Sequence, residues 1–252
     1  MVNFVGAGPG AADLSTVRGK AMLEEADIII YAGSLVNPDL LKYAKEGCEI
    51  YNSASMTLEE VTDVMIAGEK AGKKTVRLHT GDPAIYGAIR EQMDILDEHN
   101  IEYKVCPGVS SLFGAASALK AEYTLPDVSQ SVIVTRMAGR TPVPDRESIE
   151  SFAAHHATMV IFLSTGMLEE LSKKLISGGY EPETPAAIVY KATWDDEKVV
   201  RTTVADLAKS AKDNNITKTA LITVGGFLDN TYDRSKLYDP TFTHEFRKGV
   251  EA

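Results

Sequence analysis

Three short loops carry the residues whose types and spacing suit binding chemistry. Gly6-Ala7-Gly8-Pro9-Gly10-Ala11 has the form GxGxxA. Set between a strand and a helix, that form is the dinucleotide fingerprint, whose glycines let backbone approach a pyrophosphate. Two features count against a dinucleotide here. The second strand ends Tyr31-Ala32-Gly33, with no acidic residue for a ribose hydroxyl, and Pro9 removes a backbone N–H from the turn. A tight glycine turn with no ligand is the plain alternative. Thr80-Gly81-Asp82-Pro83 is the second loop. Gly81 permits a close backbone approach, and the Asp82 carboxylate can accept hydrogen bonds from ribose hydroxyls or an amine. Pro107-Gly108-Val109-Ser110-Ser111 is the third, placing two hydroxyls and free backbone donors at a helix start. Each of these last two follows a strand, and open α/β sheets bind ligands at the carboxyl ends of their strands. Either loop alone is an ordinary turn; the pair points to a ligand site.

Other chemistries are excluded by what the chain lacks. His79, His99, His155, His156 and His244 show no ligand spacing, because the adjacent pair at 155 and 156 points in different directions on a helix. Cys48 and Cys106 stand far apart with no CxxC. Neither a protein-bound metal nor a disulfide framework is expected, and a reducing cytosol fits. Lys and Arg total 26 against 36 Asp and Glu, a net charge of −10, which opposes general affinity for nucleic acid or anionic lipid. An anionic substrate would need a local basic patch. The segment 28–36 is broken by Gly33 and Ser34 and falls far short of the roughly 20 apolar residues of a membrane span. The opening MVNFV lacks a basic n-region. A cytoplasmic protein without membrane or nucleic-acid partners is expected.

The loops need a scaffold, and the apolar pattern supplies one. Strands are expected at 2–5, 28–31, 75–79 and 103–105, with helical spacing between them at Leu14, Val17, Ala21 and Met22 and again at Ile85, Ile89, Met93 and Leu96. Thr57 and Glu60 stand at capping-box spacing before Val61. Further strands are expected at 132–135, 159–163, 187–190, 199–204 and 221–224, with a hairpin around Asp195 to Glu197 and a helix from Met167 to Ile176. Alternating strands and helices imply largely parallel sheets covered on both faces. Pro126 and the polar run 127–130 interrupt the pattern, so the expected fold is two α/β domains, 1–125 and 126–252.

Taken together, GAGPG, TGDPAIYG, PGVSS and the late TALITVGG resemble the tetrapyrrole methyltransferases, which act on corrinoid and sirohaem precursors; the likeness covers about residues 2–230. The longer runs YAGSLVNPDLL, IYNSASMTLEE, RLHTGDPAIYGAIREQM and EYTLPDVSQSVIVTRMAGRTPVP are similar to the subgroup that methylates C11 of precorrin-4 or cobalt-precorrin-4. The resemblance implies a homodimer of the tetrapyrrole methyltransferase fold, with S-adenosylmethionine in a cleft between two α/β domains. It also implies the cofactor positions: Pro9, then Gly81, Asp82, Ile85 and Tyr86, then Ser110 and Ser111. The second domain would add Leu163, Ala192, Thr219 and Ala220. A macrocycle rich in acetate and propionate calls for cations, and Arg136 and Arg140, flanking Gly139, are the candidates for holding its carboxylates. Any cobalt would belong to the substrate. Uroporphyrinogen III methyltransferases carry an aspartate after the tyrosine of the second strand, where this chain has Ala32. That departure opposes the sister activity and leaves the catalytic residue unknown. Methylation at another position of a corrin or sirohaem precursor is the alternative activity.

Overall fold

The computed structural model describes residues 1–229 and 231–250, the side chain of Ser34 excepted. By contacts the chain divides into one unit of residues 1–118 with 191–198 and a second of 119–190 with 199–250. The division falls seven residues before 125, and an excursion from the second half of the chain is grouped with the first unit.

The first unit is built on a five-stranded parallel sheet. Its strands are β1 (Val2–Gly6), β2 (Ile28–Tyr31), β3 (Glu49–Asn52), β4 (Thr75–His79) and β5 (Tyr103–Cys106), in the spatial order β3-β2-β4-β1-β5. All four pairings are parallel, with Val5 opposite Leu78 on one side and Cys106 on the other. Both faces are covered, so β1 and β4 are buried throughout, although β1 carries Asn3 and β4 alternates Thr75, Arg77 and His79 with Val76 and Leu78. On one face Val5, Ile29, Val76 and Leu78 pack with Leu23 of α1 (Val17–Glu25). On the other, Phe4 and Ile30 pack with Met65 of α2 (Leu58–Lys70) and Leu96 of α3 (Ile89–Glu98). Each such side chain removed from water contributes about 1.5–3 kcal/mol.

Local signals set the helix ends. The capping box at Thr57 and Glu60 is present with both hydrogen bonds, and Thr16 caps α1 by accepting from Gly19 N. The helix expected from Ile85 begins only at Ile89, because Tyr86 (φ 56°) and Ala88 (φ 49°) are left-handed and break the run. Ile85 therefore lies in the preceding turn. The unit's last helix, α4 (Ser111–Leu119), follows β5 directly.

The second unit has a mixed sheet of β6 (Val132–Arg136), β7 (Thr158–Phe162), β8 (Pro185–Tyr190), β9 (Lys198–Thr203) and β10 (Ala220–Val224), ordered β6-β7-β10-β8-β9. β6 and β7 are parallel, while β10 runs antiparallel to both its neighbours. The largely parallel expectation holds for the first sheet and is corrected for the second. Helices α5 (Ile149–Ala153), α6 (Leu168–Ser177) and α7 (Leu207–Asp213) cover a core of Met159, Ile161, Leu171, Leu175, Ile188 and Ile222.

Candidate functional site

Chain connectivity singles out one place on the first sheet. From β1 the chain leaves through α1 toward β2; from β4 it leaves through α3 toward β5, in the opposite direction and over the opposite face. The carboxyl ends of β1 and β4 thus form a topological switch point, the position where open α/β sheets hold ligands. GAGPG follows β1, TGDP follows β4, and PGVSS follows β5 on the other side of β1.

These loops touch backbone to backbone. A Cβ on Gly108 would lie 2.2 Å from Gly81 O and 2.7 Å from Gly6 Cα. Gly8 and Gly81 form a two-way bridge, Gly81 N donating to Gly8 O at 2.9 Å and Gly8 N to Gly81 O at 3.2 Å. Asp82 completes the assembly, its Oδ2 accepting from Gly108 N and its Oδ1 from Ala84 N, both at 2.8 Å. The carboxylate read from sequence as a ligand acceptor is thus also a tie between the second and third loops. Ser110 is buried and Ser111 begins α4. Pro9 packs on the same helix: a Cβ on Gly114 would lie 2.8 Å from Pro9 Cβ and 3.4 Å from Ala192 Cβ.

Behind the second loop, β4 turns a polar stripe toward α3. Arg77 Nε donates to Gln92 Oε1 at 3.1 Å, Arg77 Nη1 to Ile30 O at 3.2 Å, and Gln92 Nε2 to Ala88 O at 2.9 Å. Burial lowers the Arg77 guanidinium to about 10. The chain of bonds ends on the left-handed residue Ala88, so it braces the turn that presents Ile85 and the exposed ring of Tyr86. His79 sits beside it, 3 % exposed, and burial first, with the Arg77 charge second, pushes it down to about 3. It is neutral across the physiological range.

In the second unit Arg136, Leu163, Thr219 and Ala220 gather at one end of the sheet. Arg136 ends β6 opposite Phe162. Leu163 follows β7 with φ 54° and 64 % exposure. Continuing the register of Ile222 with Ile161 places Ala220 opposite Leu163, and Thr219 beside it has φ 57°. Thr165 Oγ1 donates to Ala220 O at 3.0 Å. Left-handed backbone in β-branched and bulky residues is costly and clusters at functional sites. Tyr86, Leu163 and Thr219 share it, as do Lys191 and Thr193 on either side of Ala192. Arg136 spends its guanidinium on the loop that follows, donating to Met137 O, Thr141 O and Pro142 O at 2.8–3.2 Å. Arg140, on that loop, is exposed.

Sequence reasoning missed Ser164, which is fully buried, accepts from Met137 N at 2.9 Å and donates to Phe162 O at 2.7 Å, joining the loops after β6 and β7. It also missed Gln92, Thr193 and Trp194. Only Ser164 had a visible signal, a hydroxyl directly after a buried strand. The segment after β3 is a separate matter: Asn52, Ser55 and Met56 line an open groove with Glu60 and Asp63. Two carboxylates make that groove a poor seat for a polycarboxylate.

The donor set fits an adenosyl group bearing an amino-acid tail. Pro9, Ile85 and Tyr86 offer apolar and aromatic surface, Ser110 and Ser111 offer hydroxyls, and Asp82 keeps spare lone pairs. None of the three loops carries Lys or Arg, which suits a ligand with a cationic centre better than a phosphate. Among the described residues, no group of three His, Cys, Asp or Glu could hold a metal ion, and no helix is long and apolar enough to cross a membrane.

Comparison with known proteins agrees with this chemistry. Residues 1–208 match the family model of the tetrapyrrole (corrin/porphyrin) methylases. A cobalt-precorrin-4 C(11)-methyltransferase of Methanocaldococcus jannaschii is 57% identical over 248 residues, covering 98% of this chain and 96% of that protein. The X-ray structure of a cobalt precorrin-4 methyltransferase superposes with a TM-score of 0.89 at 47% identity, over 90% of this chain and 95% of that one. A uroporphyrin-III C-methyltransferase of Thermus thermophilus, complexed with S-adenosylhomocysteine, gives a TM-score of 0.74 at 25% identity, over 90% and 92% of the two chains.

Proposed function

From the premise that the chain belongs to the tetrapyrrole methylase family, we propose that it methylates C11 of cobalt-precorrin-4 with S-adenosylmethionine, a step of cobalamin biosynthesis. The near full-length likeness to the archaeal cobalt-precorrin-4 enzyme carries this reading. The loop geometry supports it, since the loops that meet at the switch point offer neutral and acidic groups and no cation. The family likeness also points to a cytoplasmic homodimer.

When bound, the cofactor supplies a methyl group on a sulfonium cation. The work left to the protein is orientation. Pro9, Gly81, Asp82, Ile85, Tyr86, Ser110, Ser111 and Ala192 of the first unit would hold the cofactor; the family resemblance also names Leu163, Thr219 and Ala220 as cofactor positions. Rigid loops serve that task, because fixing a nucleophile and a methyl in line can supply roughly 7–11 kcal/mol of the barrier. The glycine contacts and the Asp82 tie give that rigidity. The ring carbon of the macrocycle is the nucleophile and needs little activation. Its carboxylates require a cation, and Arg140 is the candidate that no loop carbonyl engages among the described residues.

Anaerobic turnover tests the reading. Wild type is expected to convert cobalt-precorrin-4 with one equivalent of S-adenosylhomocysteine formed per product. Arg140→Gln should raise the KM for the macrocycle about ten- to a hundredfold, the worth of one charge-assisted hydrogen bond, and leave S-adenosylhomocysteine affinity unchanged. Arg136→Gln should instead lower thermal stability by loosening the loop it staples. Absence of S-adenosylhomocysteine formation from this substrate contradicts the proposal.

A further inference from the structure

Between β8 and β9 the chain leaves the second unit, and residues 191–198 are grouped with the first. They lie on the glycine turn after β1. A Cβ on Gly10 would stand 2.2 Å from Trp194 Cδ1 and 2.7 Å from Ala192 O, so only glycine lets the indole and the strap backbone lie flush against the turn. Ala11 N donates to Thr193 Oγ1 at 3.0 Å across 182 residues of sequence. From the other side Asn37 Nδ2 donates to Gly10 O at 2.9 Å. The turn is thus gripped from two directions.

The strap is itself braced. Thr193 N donates to Glu197 Oε2, and Lys191 Nζ pairs with Asp196 Oδ2, both at 2.6 Å. The same ammonium lies 5.4 Å from the Trp194 ring centroid. Lys191 (φ 45°) and the β-branched Thr193 (φ 69°) hold backbone conformations that such residues rarely adopt. A hairpin tip free to relax would not keep two of them around Ala192. Pro9 and Ala192, from the turn and the strap, both press on Gly114 of α4.

We propose that residues 191–198 are a clamp in which Thr193 and Trp194 act as positioning residues, fixing the glycine turn so that Pro9 and Ala192 face the cofactor in register. The proposal rests on the reading that the first unit's loops hold S-adenosylmethionine. Thr193→Val is the sharpest probe, because it keeps the β-branch and the backbone conformation while removing the acceptor for Ala11 N. Losing that acceptor leaves a partly buried N–H unpaired and frees the turn.

The experiment is calorimetric titration of S-adenosylhomocysteine into the full chain as wild type, Thr193→Val and Thr193→Ser, with ligand-free melting curves alongside. Thr193→Val is expected to bind about tenfold more weakly, the order set by one hydrogen bond. Thr193→Ser should come within about threefold of wild type in affinity, while the ligand-free melting temperature of Thr193→Val should fall by about 2–4 °C, the cost of one unpaired N–H in a chain of this size. Trp194 is the only tryptophan, so its emission should change when S-adenosylhomocysteine binds the wild type. Equal affinities for wild type and Thr193→Val, or a Thr193→Ser as weak as Thr193→Val, overturn the clamp. A wild type that binds no S-adenosylhomocysteine overturns the site reading itself, and the clamp with it.

Discussion

Gly108→Ala is expected to weaken S-adenosylhomocysteine binding by at least about a hundredfold and to destabilise the protein by about 2.5–6 kcal/mol. The new methyl would sit 2.2 Å from Gly81 O, 2.7 Å from Gly6 Cα and 2.9 Å from Gly6 C. Every one of those atoms is backbone, so no side chain can swing aside. The strands behind them are fixed by sheet register, with Val5 paired to both Leu78 and Cys106. The loops must therefore part, which breaks the Gly108 N bond to Asp82 and strains the Gly8–Gly81 bridge. Overpacking alone typically costs 1–3 kcal/mol, and a lost bond to a charged group adds 1.5–3. Gly166→Ala is the control, since nothing stands within 4 Å of its Cβ position. Calorimetry and thermal melting measure both effects; wild-type affinity in Gly108→Ala contradicts the three-glycine contact as the basis of the site.

Asp82→Ala should lose about 1.5–3 kcal/mol of cofactor affinity, ten- to a hundredfold, and a similar amount of ligand-free stability. The double loss follows from the geometry. Both carboxylate oxygens accept from backbone N–H groups, of Ala84 and Gly108, and the second of these lies 26 residues away on another loop. Asp82→Asn should do little better, because one end of an amide is a donor and would face one of those N–H groups. A residue that only touched the cofactor would lose affinity and leave the ligand-free melting temperature alone. Unchanged affinity in both variants removes Asp82 from the site.

Much of the fold was legible because strands are written as short apolar or alternating runs between turn residues. Ile28–Tyr31 and Thr75–His79 were readable to the residue. β3 was not singled out, because it is a four-residue edge strand, largely exposed, with no alternation to read. Periodicity carried the helix at Ile89 back to Ile85, since a 3.6-residue spacing does not register the left-handed backbone at Tyr86 and Ala88. Strand positions in the second unit were readable but the reversed direction of β10 was not, as direction depends on connections rather than on local pattern.

The candidate site was legible as loops and obscure as roles. Glycines, a carboxylate and serines after successive strands announced a site, yet nothing local shows that Asp82 reaches Gly108 or that Arg136 turns back onto Met137, Thr141 and Pro142. The grip of Thr193 on Ala11 is more hidden still. From sequence, Asp195 to Glu197 read as the turn of a hairpin, and the grouping of 191–198 with the first unit is a tertiary fact.

The regiochemistry of transfer tests the central claim most directly. Supply cobalt-precorrin-4 anaerobically with S-adenosylmethionine labelled with carbon-13 in the methyl group, and locate the label in the product by NMR. A single enriched methyl on C11 is the predicted result. Label at any other ring carbon, or a clear preference for uroporphyrinogen III as acceptor, would contradict it.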